Sequence, residues 1–342
     1  MMRILATPRS QESNPYCDLL YGAMEQQGCR ADPFRLESLF RGEYEVWHLH
    51  WPEGFFQKHP PIIAVLRMVG LLSLLLWARL CGIRVVWTVH NLMAHETTHS
   101  TVEPVFWRIF SELVHGSISL SRSAQRSAFA TYPALQEKPA AVIPHGHYRS
   151  VYPQTMDRGD ARERLGLKAR HRVALYFGAI RPYKEVPDLI RAFSNIKGED
   201  LRLLIVGNPL SEEEKQRVQA AASRDTRIQF VLEFIPNERV QVYFQATDVV
   251  ILPQRSFLNS GSALLALSFD CPLLAANQGS MADLRNRLGS EWVQLFNAPL
   301  QSDDIARAIE WGSRAPRPAR APLDGLAWAP VAHQTLDFFS RL

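Results

Sequence analysis

"YFGAIRPYKEVPDLIRAF", residues 176–193, decides how the rest of the chain is read. It closes a β-rich run, "RVALYFGA", and ends in "VPDLIRAF", whose apolar residues recur at helical spacing. The turn between them holds Gly178, which permits a tight bend against a ligand. Arg181 and Lys184 follow, just ahead of a helix opened by Val186-Pro187-Asp188. Two cations at a helix start suit a diphosphate, arginine as a planar fork and lysine as a point charge. The plainer reading is a pair of solvated loop cations.

The same strand–turn–helix unit recurs on both sides. After it come "LRLLIVGN", "RIQFVLEF", "DVVILP" and "CPLLAAN" as strands, with "SEEEKQRVQAAA" and "NERVQVYFQAT" as helices. Before it lies a polar stretch, "YPQTMDRGDARERLGL", that reads as a connection. Further back, "MRILAT", "YEVWHLHW", "RVVWTVHN", "GSISLS" and "AAVIPHG" are strand-like, and Asn14 reads as the cap of a first helix with Pro15 at its first position, leading "YCDLLYGAMEQQG". Strands alternating with helices argue for parallel sheets covered on both faces. A chain of 342 residues is comfortable for two such domains. "RAPRPARAPLDG" reads as an irregular crossover and "LAWAPVAHQTLDFFSRL" as an amphipathic terminal helix.

Composition narrows the class. Apolar content of 46% and charged content of 21% are those of a globular protein. A net charge of +4 suits an anionic ligand or an acidic membrane surface, and no basic stripe points to nucleic acid. Cys17, Cys29, Cys81 and Cys271 lack C-x-x-C spacing and read as reduced thiols in a cytosolic protein. The opening "MMRILATPRS" leads straight into a strand without a signal-peptide pattern. "IIAVLRMVGLLSLLLWARLCGI", residues 62–83, has an uncharged run of only 11 residues, Met68 to Ala78, too short to span a bilayer. It reads as a helix buried on a sheet, or as one dipped into a bilayer face with Arg67, Arg79 and Arg84 meeting anionic headgroups.

Two further regions carry candidate chemistry. "SFLNSGSALLALSFDCPLLAAN", residues 256–277, sets Asn259-Ser260-Gly261-Ser262 at a helix N-terminus. The free N–H groups there favour a phosphate oxygen, and a plain helix cap is the alternative. In the first half, "WHLHWPEG" offers His48, His50 and Glu53, and "TVHNLMAHETTH" offers His90, Asn91, His95 and Glu96. Strand-end histidines are often hydrogen-bonded core residues.

Residues 176–193 resemble the G-x-x-R-x-x-K-G signature of nucleotide-sugar glycosyltransferases of the GT-B fold. "VIPHG" is similar to that family's V-I-P-N-G hinge, with His145 in the asparagine place. "LLIVGN", "IQFVLEFIPNERVQVYFQATDVVILP" and the tail extend the resemblance over nearly the whole chain. It implies two Rossmann-like doubly wound α/β domains facing across a cleft. These are residues 1–146 for the acceptor and 147–325 for the nucleotide sugar, with a terminal helix, 326–342, packing back on the first. Donor-binding residues carried over are Gly178, Arg181, Lys184 and Asn259 to Ser262, with Phe234 and Ile235 offering backbone groups to the nucleobase.

The retaining members place a glutamate pair where this chain has Phe257 and Leu265. That departure favours inversion, which needs a base for the acceptor hydroxyl and an electropositive site for the leaving diphosphate. With no Asp-x-Asp triplet in the chain, no metal or other cofactor is expected, Arg181, Lys184 and the 259–262 loop standing in for a divalent cation.

"HNLMAHE", "LHWPE" and "NPYCDLLY" further resemble the xanthan-type bacterial exopolysaccharide transferases. That implies mannosyl transfer from GDP-mannose to a polyprenyl-diphosphate-linked oligosaccharide at the inner face of the plasma membrane. Glu53 and Glu96 are joint candidates for the base, with His90 holding the donor sugar or its phosphate, and His50 and Asn91 on the acceptor side. A UDP-sugar transferase, using glucose or glucuronate, is the alternative donor reading. A catalytically inactive sugar-nucleotide-binding partner protein is the alternative of a different class.

Overall fold

The computed structural model describes residues 1–11, 14–92, 101–222, 225–255, 258–314 and 316–342. Its contacts divide into two units, Met1–Gly146 with Gly325–Leu342, and His147–Asp324.

The first unit runs β1 (Arg3–Thr7), α1 (Tyr16–Glu25), β2 (Arg30–Pro33), α2 (Leu36–Phe40), β3 (Val46–Leu49), α3 (Pro61–Leu80), β4 (Arg84–Val89), α4 (Glu103–Leu113), β5 (Gly116–Ser119), α5 (Arg122–Thr131) and β6 (Ala140–Val142). Its sheet is parallel, in the order β2-β1-β3-β4-β5-β6. The strand order reverses between β1 and β3, and ligands of such sheets bind at the carboxyl ends beside that switch. β3 and β4 end there in His48, His50 and His90. Leu49 pairs with Trp87, so His50 stands level with Thr88. Side chains alternate along a strand, which puts His48 and His50 on one face.

The second unit runs α6 (Arg158–Arg164), β7 (Arg172–Phe177), α7 (Val186–Ser194), β8 (Leu201–Val206), α8 (Glu212–Ala221), β9 (Ile228–Val231), α9 (Asn237–Ala246), β10 (Val249–Leu252), α10 (Gly261–Ser268), β11 (Leu273–Ala276), α11 (Ser280–Leu288), β12 (Val293–Phe296) and α12 (Ser302–Arg314). The sheet order is β12-β11-β10-β7-β8-β9, again parallel, with its switch between β7 and β10. The terminal helix α13 (Trp328–Ser340) belongs to the first unit. There Trp328, Val331, Ala332, Phe338 and Phe339 share one core with Ile4, Tyr16, Leu20 and Tyr21. Gly146 has to be glycine: a Cβ there would lie 2.4 Å from the Trp328 ring.

Several sequence expectations need correction. The polar stretch before Arg172 is not merely a connection, since it contains α6, capped by the Asp157 carboxylate accepting from Asp160 N at 2.9 Å. Arg158 and Arg162 of α6 then reach Asp248, which also accepts from Val173 N at 2.7 Å. Helix α1 starts one residue later than expected, with Asn14 Oδ1 accepting from Tyr16 N at 3.1 Å.

Helix α3 is not the buried helix that its short uncharged run suggested. It buries one stripe, Ala64, Met68, Leu71, Leu75 and Ala78, and leaves Ile62, Leu66, Val69, Trp77 and Leu80 exposed. By length and composition it is also apolar enough to cross a membrane, and 28% of its most apolar window is buried inside the unit.

Candidate active site

In the second unit, three loops meet at the carboxyl end of the sheet. Gly178 has φ 141°, and a Cβ on it would stand 3.2 Å from Ser262 Oγ. A Cβ on Gly207 would overlap the Gly178 carbonyl oxygen, at 1.8 Å. Glycine at both positions therefore lets the loops after β7 and β8 touch, with the start of α10 against them. Ser260 caps α10, its Oγ accepting from Ala263 N at 3.2 Å. That satisfies one of the four orphan amides of the helix start and leaves Gly261 and Ser262 to present theirs. The plain-cap reading thus holds for Ser260 without excluding an anion from the rest of the turn.

The two cations differ in state. Arg181 donates from Nη1 to the carbonyls of Ile180 at 2.9 Å and Asn208 at 3.2 Å. Lys184 ends a 3₁₀ turn, Pro182–Lys184, with Nζ 5.1 Å from the Tyr183 ring centroid. Burial pushes the Lys184 ammonium down to about 8, since desolvation disfavours the charged form. An arriving anion restores it. Glu185, which follows, has φ 53°, in the left-handed region where the signature carries glycine. Its carboxylate is paired with Arg255 at 2.8 Å, tying the loop after β7 to the loop after β10. Phe234 and Ile235 follow the edge strand β9, Phe234 65% exposed and Ile235 buried.

In the first unit, Glu53 lies in a 3₁₀ turn, Pro52–Phe55, just past β3 and is 7% exposed. Its Oε1 accepts from Asn91 Nδ2 at 3.0 Å. Burial raises its pKa; the Asn91 hydrogen bond pulls it partly back, and Glu103 nearby pushes it up. A carboxyl moved upward toward neutral pH is better matched to accepting a proton from a sugar hydroxyl.

The histidines beside it form a buried row. Tyr21 Oη lies 3.0 Å from His48 Nδ1 and 2.8 Å from His50 Nε2. His48 Nε2 lies 2.7 Å from Thr88 Oγ1, and His50 Nδ1 lies 3.0 Å from His90 Nε2. Trp51 stacks on His90 at 4.2 Å, and Tyr16 meets His50, His90 and His145 edge-on. Desolvation lowers the pKa of all four imidazoles, His48 to about 3 and His145 to about 4, with His50 and His90 well below the usual value.

Comparisons with known proteins meet these observations. The family "Glycosyl transferases group 1" matches residues 157–319. A protein of Xanthomonas campestris pv. campestris, GDP-mannose:glycolipid 4-beta-D-mannosyltransferase, is 30% identical over 320 residues, covering 93% of this chain and 86% of its own. The chain belongs to the group 1 glycosyltransferases. Among solved structures, sucrose-phosphate synthase from Thermosynechococcus elongatus superimposes with a TM-score of 0.71 at 16% identity, covering 100% of this chain and 99% of that one. HepE of Anabaena, in complex with UDP and glucose, gives 0.67 at 15% identity over 100% of both chains. At those identities the likeness shows the fold, which is GT-B.

In this transferase the structure gathers Gly178 and Ser262 directly, with Arg181 and Lys184 in the same loop as Gly178, and Asn259 to Gly261 leading into α10. It also gathers Glu53, Asn91, His50 and His90 in the first unit. Glu96 and His95 lie outside the described residues. His50, expected on the acceptor side, is a buried link: both of its ring nitrogens are engaged and it is 1% exposed. Sequence reasoning missed Tyr21 and Thr88, which read as ordinary helix and strand residues. It also missed the Glu185–Arg255 pair, whose signal was an acid where the signature has glycine.

Proposed function

We propose that this transferase moves mannose from GDP-mannose to a polyprenyl-diphosphate-linked oligosaccharide in exopolysaccharide biosynthesis, with inversion and without a metal ion. The observation that carries the reading is the 30% identity, across 93% of the chain, to an enzyme named for GDP-mannose and a glycolipid. The chemistry asks two things of the protein. An acceptor hydroxyl attacks the anomeric carbon while the bond from that carbon to the diphosphate oxygen breaks. The hydroxyl proton has to go to a base, and the negative charge growing on GDP has to be stabilised.

The second unit supplies the charge stabilisation. Lys184 is desolvated ahead of binding, so a diphosphate gains more from it than from a solvated cation. Arg181 and the first-turn amides of α10 add donors, and the main chain at Phe234 and Ile235 is offered to guanine. The first unit supplies the base, Glu53 or Glu96, with His90 holding the donor sugar or its phosphate and Asn91 the acceptor. Loss of the retaining pair at Phe257 and Leu265 supports inversion, because neither residue can act as an acid or a nucleophile.

The exposed face of α3, rimmed by Arg67 and Arg84, supports peripheral contact with the anionic cytoplasmic face of the membrane. Arg79, also expected there, donates instead to Leu113 O at the end of α4.

The test is transfer from labelled GDP-mannose to a membrane-extracted glycolipid fraction in excess EDTA, with NMR of the new anomeric centre. Turnover in EDTA to a β-mannoside is expected. An α-product, or turnover with UDP-glucose or UDP-glucuronate alone, overturns the reading. Strict dependence on a divalent cation overturns its metal-free part.

A further inference from the structure

Thr88, His48, Tyr21, His50 and His90 are joined end to end by four hydrogen bonds of 2.7, 3.0, 2.8 and 3.0 Å. Each neutral imidazole carries one N–H and the phenol one O–H. Four bonds need one proton apiece, so a choice at one end propagates to the other. If Thr88 donates to His48 Nε2, the His48 proton is on Nδ1 and points at Tyr21. To give its own buried proton an acceptor, Tyr21 then donates to His50 Nε2, and His50 Nδ1–H to His90 Nε2. If Thr88 accepts instead, every bond reverses and His90 donates from Nε2. The one mixed arrangement has Tyr21 accept from both His48 and His50 while His90 donates from Nε2, and it leaves the buried phenol proton without an acceptor.

Thr88 decides between the two. It is 1% exposed, and among the described residues its hydroxyl has His48 Nε2 as its one hydrogen-bond partner. In the reversed row its own proton would be buried without an acceptor, which a buried hydroxyl does not tolerate cheaply. In the forward row the protons of Thr88, His48, Tyr21 and His50 each meet an acceptor. We infer that Thr88, through His48, Tyr21 and His50, fixes His90 with its proton on Nδ1 and its Nε2 as acceptor, so that His90 serves transfer as a hydrogen-bond donor and not as the base.

The catalytic part of this rests on the proposed role of His90 in transfer; the tautomer itself does not. A base needs a bare nitrogen, and the forward row leaves His90 none: Nε2 accepts from His50 and Nδ1 carries the proton. Proton removal then falls to a carboxylate, Glu53 or Glu96. Thr88, His48, Tyr21 and His50 are positioning residues, acting only through His90.

The experiment is a long-range proton–nitrogen correlation spectrum of the histidine rings in the full chain, with the His90 signal assigned by its loss in His90→Asn. The expected spectrum has His48, His50 and His90 as Nδ1–H tautomers. Thr88→Val removes the deciding proton at nearly constant volume, and the His90 signal should move to the Nε2–H tautomer or to a mixture. Thr88→Ser restores the donor and the original spectrum. With Thr88→Val, kcat should fall on the order of 10²-fold with KM within about twofold, the pattern of a mis-set tautomer. An Nε2–H tautomer at His90 in the unaltered protein, or a His90 spectrum indifferent to Thr88→Val, overturns the inference. Full transfer by His90→Phe would instead overturn the role of His90 and leave the tautomer assignment standing.

Discussion

Glu53 accepts a hydrogen bond from Asn91 at 3.0 Å, and the two come from loops following adjacent strands, β3 and β4. The amide stabilises the carboxylate against the upward pull of burial. Asn91→Ala should therefore raise the Glu53 pKa further. Because the base acts in its ionised form, the acidic limb of the kcat/KM profile moves to higher pH. Glu53→Gln should cut kcat by about 10²–10⁴-fold, the usual range for a lost general base, with GDP affinity unchanged. A Glu53→Gln enzyme with normal turnover would hand the role to Glu96.

Glu53 also has a stability signature. Its folded pKa lies above its unfolded one, so its favourable contribution is complete below the unfolded pKa and is lost as pH rises through the folded value. Glu53→Gln removes that loss. The Tm of the variant should gain on that of the wild type as the medium goes from acidic to neutral, read by calorimetry at several pH values.

Lys184 near pH 8 predicts proton-linked donor binding. A diphosphate favours the ammonium, so at a pH close to that value GDP binding should take up about half a proton. Titration calorimetry in buffers of different ionisation heat measures this directly. Lys184→Gln should abolish the uptake and weaken GDP by about 10–100-fold, the range for a lost charged hydrogen bond.

The buried imidazoles make the first unit acid-labile. Their folded pKa values lie below the unfolded value, His48 at about 3 and His145 at about 4. The unfolded chain binds protons first as pH falls below about 6.5, and each such histidine then loses roughly 1.4 kcal/mol of stability per pH unit until its folded pKa is reached. Stability is thus complete above that range and falls through it. His145→Asn should flatten the slope of unfolding free energy against pH by one proton; an unchanged slope would show His145 to be protonated in the fold.

Asp248 joins Arg158, Arg162 and the Val173 amide beneath the second sheet. Removing one partner of a buried pair costs about 3–5 kcal/mol, because the other charge stays desolvated. Asp248→Ala should lower the urea midpoint of the second unit by a corresponding amount, with the first unit's transition unmoved.

The exposed row on α3 predicts that a Leu66→Glu, Leu80→Glu double variant loses binding to anionic vesicles in flotation. Calorimetric GDP affinity should stay the same, since neither residue belongs to the donor unit. Equal flotation of wild type and variant would remove α3 as the membrane face.

The local patterns of the sequence determined a good deal. Alternating strand and helix periods specified two doubly wound parallel sheets, and Gly178, Arg181, Lys184 and the Ser260 cap marked the ends of β7 and the start of α10. These features are carried by residues a few positions apart, where backbone preference and side-chain period act directly. Strands with weak apolar patterning, such as Arg30–Pro33, and the polar helix α6 escaped that reading because partners elsewhere in the unit hold them. Tertiary structure alone decided which apolar residues of α3 found a neighbour and which did not. It also decided that Thr88, His48, Tyr21, His50 and His90, drawn from two strands, their following loops and a helix, would form one row. The reason is register: a slip of one residue in β3 or β4 would turn its histidines to the opposite face, and nothing within either segment fixes which residue stands beside which.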